Sequence, residues 1–124
     1  MLGIDIVKNV RIARAIDKFG YHFLKRIYTE YEIALCRANI ECLAGRFAAK
    51  EASMKAFSML LNKKFGFRDF EIIKSKNGAP ELKLNNLYIN DFLKAKKLKP
   101  VISISHEKEF SIAVCYITKE EMLL

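Results

Sequence analysis

The stretch from Leu43 to Leu61 reads LAGRFAAKEASMKAFSMLL, and the rest of the chain is arranged around it. Ala, Leu, Met, Glu and Lys dominate it and no proline interrupts it, so it is expected to be a helix. Successive residues on a helix are set about 100° apart. On that wheel Leu43, Met54, Phe57 and Leu61 share one side, and Gly45, Ala49, Ser53 and Ala56 form a side of small residues. The third side carries Ala44, Phe47 and Ala48 together with Glu51 and Lys55. A helix that is apolar or small nearly all round is a buried one. Glu51 and Lys55 would therefore sit where charge is costly, one turn apart. A Glu-to-Lys pair at that spacing can simply support the helix. A desolvated carboxylate, however, needs a cation or several hydrogen bonds, and a metal ion with a phosphate ligand would satisfy both charges.

The 124 residues suit one domain, spanning 1–124. A hydrophobic content of 52% against 29% charged residues reads as folded and soluble. No apolar run approaches the roughly 20 residues that cross a bilayer, and MLGIDIV is no signal peptide, so the cytoplasm is the expected location. Cys36, Cys42 and Cys115 lack metal-ligand spacing and are expected to be reduced and mostly buried. The net charge of +8 calls for an anionic partner without choosing between a nucleic acid, a phosphorylated small molecule, an acidic protein and an anionic membrane.

Outward from the central helix, Leu2 to Val7 reads as a strand with Gly3, Asp5 and Val7 on one face and Ile4 and Ile6 on the other. Asn9 is expected to cap a helix running to Phe19, with Gly20 ending it. Tyr21 to Ile27 continues as helix, and Thr29 with Glu32 matches a capping box opening a helix to Arg37. Beyond the basic loop of Asn62 to Gly66, Phe67 to Lys74 and Glu81 to Leu84 read as strands joined by an Asn77-Gly78 turn. Leu87 to Lys97 is amphipathic with a Lys-rich last turn. Val101 to Ser105 and Phe110 to Thr118 are strands separated by a bend over His106 to Glu109, and the last residues read as a frayed tail. The fold class is α+β, a small antiparallel sheet wrapped on one buried helix.

Asp5 and Glu51, on separate elements with Lys55 nearby, suit a Mg²⁺ site that also holds phosphate, because Mg²⁺ is hard and typically takes one or two carboxylates plus phosphate and water. Ser105 and His106 stand at a strand end.

GIDIV at Gly3 to Val7, RFAAKEASMKA at Arg46 to Ala56 and ISISHEKEFSIAV at Ile102 to Val114 resemble the holo-[acyl-carrier-protein] synthases, the short single-repeat class of 4′-phosphopantetheinyl transferases. FEIIKSKNGAP at Phe70 to Pro80 looks like the same family's strand-turn-strand. The resemblance implies transfer of the phosphopantetheine arm of coenzyme A to a serine of an apo acyl carrier protein, releasing adenosine 3′,5′-bisphosphate. It further implies Asp5 and Glu51 as Mg²⁺ ligands and Lys55 against the pyrophosphate. Arg46, Ser105 and His106 would lie on the coenzyme, and Arg11 and Arg14 on the acidic carrier protein. The base that takes the serine proton stays open among a metal-bound water or hydroxide and Asp5 or Glu51 acting through water. Members of this class look like homotrimers with sites shared between subunits, which would place Asp5 and His106 on one chain and Glu51 and Lys55 on its neighbour. Where the family usually carries a Gly-rich loop, this chain has Ser58 to Asn62, so a longer helix is expected there. A basic nucleic-acid-binding module and a non-catalytic relative are the competing readings. No nucleic-acid motif supports the first, and retained Asp5, Glu51 and Lys55 count against the second.

Overall fold

The computed structural model describes residues 1–123. Strand β1 (Leu2–Lys8) runs directly into helix α1 (Asn9–Phe19), followed by α2 (Tyr21–Ile27), α3 (Glu30–Cys36) and the long α4 (Ile40–Leu61). Strands β2 (Phe70–Lys74) and β3 (Pro80–Leu84), helix α5 (Leu87–Lys96), and strands β4 (Leu98–His106) and β5 (Phe110–Lys119) complete the order. The α+β expectation holds, with the antiparallel strands divided between two sheets: β1-β5-β4, and the hairpin β2-β3. Leu124 lies outside the described residues; Glu120–Leu123, read as frayed, is a 3-10 turn.

Helix α4 is the core, as its small residues foretold. Leu43, Ala44, Ala48, Ala49, Ala52, Ala56 and Phe57 are buried against both sheets. Gly3 shows how close the approach is: a Cβ there would lie 2.0 Å from the Ala52 carbonyl oxygen and 3.0 Å from the Ala56 nitrogen. Only glycine lets β1 rest on the helix backbone. The helix does run on where a Gly-rich loop was missed, ending at Asn62 in the left-handed region (φ 50°).

Several boundaries depart from the sequence reading. Asn9 does not cap α1. Its amide donates to the carbonyls of Glu107 (2.8 Å) and Lys108 (3.1 Å) and accepts from Ser111 Oγ (2.7 Å), tying the start of α1 to the β4–β5 bend. Asn77-Gly78 sits within a five-residue loop, since Lys74 pairs with Pro80, and Phe67–Asp69 is a 3-10 turn before β2. Strand β4 begins ahead of Pro100, which is tolerated because β4 is an edge strand. The Thr29–Glu32 capping box and the Gly20 stop (φ 57°) stand as read.

The cysteines correct the expectation of three reduced thiols. Cys36 and Cys42 are joined as a disulfide with their Cα atoms 5.4 Å apart, while Cys115 is free and buried. The physical reason is the short link between α3 and α4, where Arg37 (φ 49°) and Ala38 (φ 62°) reverse the chain and bring the two helix ends together.

The fully buried charge on α4 is also not the expected one. Lys50, not Lys55, is 0% exposed, and it pairs at 2.6 Å with Glu32, likewise 0% exposed. Lys50 Nζ also donates to the carbonyls of Phe70 (2.7 Å) and Phe67 (3.2 Å), while Glu32 accepts from the Thr29 and Ile72 amides. Every polar atom in the pair is thus satisfied, and α3, α4 and β2 are locked together.

Candidate active site

The inner face of β1 brings Asp5 to α4, because Gly3 and Val7 on the same face sit against that helix and alternation carries Asp5 with them. Lys55 Nζ lies 3.0 Å from Asp5 Oδ1 and also donates to the Ile4 carbonyl at 3.0 Å. Asp5 is mostly enclosed, its side chain 16% exposed, whereas that of Lys55 is 52% exposed. Glu51 projects from α4 one turn before Lys55 and is half-buried. Burial and then the Asp5 charge push its carboxyl above the usual range, partly offset by Lys55. Glu51 and Lys55 are therefore less enclosed than the helical wheel implied, because the edge of the sheet leaves this part of α4 open.

Asp5, Glu51 and Lys55 converge within one chain. That corrects the expected division, in which Asp5 faced a Glu51 and Lys55 from a neighbour. The reason is the Gly3 contact, which lays β1 of each chain along its own α4.

Two carboxylates against one ammonium leave the cluster negative, and its donors are oxygens from two elements. This donor set fits a hard divalent cation. Among the described residues no group of three or more His, Cys, Asp or Glu forms a fuller cage. A cation held here would complete its shell with phosphate oxygens and water, the usual manner of Mg²⁺. Lys55 has three donors, of which two are engaged, so one remains for an anion.

A second cluster lies at the other end of α4. Gly45, Arg46, Glu41, Cys42, Ile104, His106, Lys74 and Pro80 line a cavity of about 340 Å³. Gly45 leaves room for β4, since a Cβ there would come within 3.1 Å of Ile104 Cγ2. His106 Nδ1 is 3.3 Å from Glu41 Oε2, and Arg46 donates Nε to the Ile72 carbonyl at 3.3 Å. Burial, ahead of the opposing charge of Glu32, lowers the Arg46 pKa. Arg46 and Glu51, the nearest members of the two clusters on α4, stand about 7.5 Å apart along the helix. Ser105 joins neither. Alternation in β4 turns it away from His106, and it is exposed, paired in register with Ile112 on the outer face of the sheet. Arg11 and Arg14 are exposed on α1.

Sequence reasoning missed the Glu32–Lys50 pair that braces β2, whose Ile72 carbonyl accepts from Arg46. Its one visible signal was Glu32 of the capping box, whose side chain has an oxygen to spare beyond the cap.

A family model described as the 4′-phosphopantetheinyl transferase superfamily matches residues 1–115. The chain belongs to that superfamily. Within it, this transferase is 73% identical over 123 residues to the holo-[acyl-carrier-protein] synthase of Hydrogenobaculum sp. (strain Y04AAS1), covering 99% of each chain. It is 40% identical to the synthase of Aquifex aeolicus (strain VF5), over 97% of this chain and 99% of the other. The solved structure of Helicobacter pylori holo-[acyl-carrier-protein] synthase in complex with coenzyme A matches with a TM-score of 0.82 at 36% identity, covering 95% of this transferase and 100% of that chain. The family read from three short motifs is thereby borne out.

Proposed function

We propose that this chain, acting as one domain over residues 1–124, transfers the 4′-phosphopantetheine group of coenzyme A to a serine of an apo acyl carrier protein. The second product is adenosine 3′,5′-bisphosphate. The observation that carries the reading is the convergence of Asp5, Glu51 and Lys55 at one point where β1 crosses α4.

Asp5 and Glu51 would hold Mg²⁺, which when bound neutralises charge on the pyrophosphate and polarises the phosphorus under attack. Lys55, fixed by Asp5 and the Ile4 carbonyl, directs its remaining donor to a phosphate oxygen and stabilises the departing nucleotide. The serine belongs to the carrier protein, so the chain needs no nucleophile, only orientation and charge. Arg46 and His106 serve the nucleotide end of coenzyme A as donors lining the second cavity.

A homotrimer supports that division. The outer sheet face exposes Leu2, Ile4, Ile6, Val101, Ile112 and Tyr116, an apolar surface that another copy would cover. Such packing would set the acid–lysine cluster of one copy beside Arg46 and His106 of the next, with Ser105 facing the neighbour. Arg11 and Arg14 would meet the acidic carrier protein. No helix among the described residues is long and apolar enough to cross a membrane. We place the work in the cytoplasm, supplying carrier protein for fatty acid biosynthesis.

The test is the intact mass of an apo acyl carrier protein after incubation with this chain, coenzyme A and Mg²⁺, beside a chelator control. One added phosphopantetheine, blocked by the chelator, is expected. Glu51→Gln should abolish the gain while leaving the fold intact, and undiminished turnover in that variant at limiting Mg²⁺ would remove Glu51 from the metal site.

A further inference from the structure

Cys36 closes α3 and Cys42 lies in the first turn of α4, with a reversal of two left-handed residues between them. Their surroundings differ. Cys36 is buried, 3% exposed, whereas Cys42 is half-buried and lines the cavity that holds Arg46 and His106. The Cys42 amide is held by the Asn39 cap at 2.8 Å, and Arg46, one turn on, directs Nη1 to Cys42 Sγ at 3.4 Å. A helix N-terminus and a guanidinium both favour a thiolate over a thiol. Lys74 on the cavity wall acts in the same direction and Glu41 against it.

We propose that Cys36 and Cys42 are a reversible thiol–disulfide couple whose state sets how firmly Arg46 holds an anionic ligand in this cavity. The oxidant is a low-molecular-weight disulfide, RSSR. The Cys42 thiolate attacks one sulfur of RSSR, forming a mixed disulfide and expelling one RS⁻. Cys36 then gives up its proton and attacks Cys42 Sγ, closing the protein disulfide and expelling the second RS⁻. Two protein thiols are oxidised and one RSSR becomes two RSH, so atoms and electrons balance. The described structure is the oxidised pole, in which Arg46 faces a neutral sulfur, a weak acceptor that leaves its charge for a ligand. At the reduced pole a thiolate would pair with Arg46 and add a negative charge to the cavity wall. Anions therefore bind more tightly to the oxidised form, by roughly tenfold, the worth of one charge-assisted hydrogen bond.

The kinetic consequence rests on the function proposed above; the thiol chemistry does not. The full chain is poised in mixtures of glutathione and glutathione disulfide, then trapped with N-ethylmaleimide and weighed. Two of the three cysteines should move together between alkylated and protected, with Cys115, buried and unpaired, independent of the ratio. Inorganic pyrophosphate affinity, measured by calorimetry in each state, should differ roughly tenfold, and KM for coenzyme A should follow it. Two variants separate this from a simple brace. Cys36→Ser keeps the Cys42 thiolate in reduced glutathione and should bind weakly there, whereas Cys42→Ser removes it and should bind tightly in the same buffer. The proposal is overturned if the two thiols do not respond to the glutathione ratio, if both states bind pyrophosphate equally, or if the two variants behave alike. Absence of coenzyme A turnover would instead count against the proposed function, with the trapping and pyrophosphate results still readable.

Discussion

Replacing Lys50 with Met tests the least expected part of the core. Lys50 and Glu32 are both wholly enclosed, and burial depresses the Lys50 pKa more than Glu32 raises it. The ammonium is thus worse off in the fold than in water, and the pair gives little net stability over an apolar pair of the same shape. Removing one partner is another matter. Lys50→Met leaves the Glu32 carboxylate buried opposite a thioether, at a cost of about 3–5 kcal/mol. For a domain that is typically stable by only about 5–15 kcal/mol, that is a large share. At roughly 4 °C per kcal/mol for a chain of this length, the expected fall in Tm is about 12–20 °C. Glu32→Gln combined with Lys50→Met removes both charges and leaves one amide of Thr29 or Ile72 without its acceptor, a cost of about 1–3 kcal/mol. The double variant should therefore be more stable than Lys50→Met alone. Thermal unfolding at one fixed protein concentration measures this, since association between copies would raise Tm for all variants. A Lys50→Met protein within about 1 kcal/mol of the parent, or a double variant no better than the single, would refute the argument from buried charge.

Gly3→Ala should destabilise by about 3 kcal/mol or more, because the added methyl meets helix backbone that cannot swing aside. Denaturant unfolding reads the loss, and transfer activity should fall with it as β1 lifts Asp5 from Lys55. In chelator, the stability of the parent should decline as pH rises through and above the ordinary carboxylate range. Glu51 titrates higher in the fold than in the unfolded chain, so its contribution is complete below its unfolded pKa and is lost as pH climbs through the folded one. Glu51→Gln should flatten that decline in thermal scans between about pH 4 and 8. Arg11→Ala should raise KM for the carrier protein roughly threefold at low salt and less at high salt, with KM for coenzyme A unchanged in steady-state assays.

Much of this was legible because it is written locally. The run of alanines in α4, the Thr29–Glu32 box and the alternation of β5 each declare themselves within a few residues. So do Asp5, Glu51 and Lys55, whose charge interrupts otherwise apolar elements. What escaped depends on partners distant in the chain. Lys50 looks like an ordinary surface lysine until Glu32 and the carbonyls of β2 are placed around it. Asn9 has the composition of a cap, but its amide is taken by residues more than 95 positions later. Cys36 and Cys42 have no diagnostic spacing, and only the left-handed turn between them brings them into bonding distance. The grouping of Asp5 with its own Glu51 likewise follows from Gly3, whose missing side chain has no periodicity to reveal it.

The order of strands in the larger sheet has a consequence for how this chain comes to life on the ribosome. Strand β1 is made before the other strands, yet among the described residues its one strand partner is β5, the last of them. At synthesis rates of about 5–20 residues per second, Leu2, Ile4 and Ile6 wait for several seconds without a sheet to join. Helix α4 can form and offer Gly3 a surface in that interval, but nothing completes the ladder that fixes Asp5 until residues 110–119 emerge. A chain stalled before β5 would hold Glu51 and Lys55 on a finished helix and have no settled place for Asp5. The nascent protein thus acquires its acidic pair only once β5 has been made.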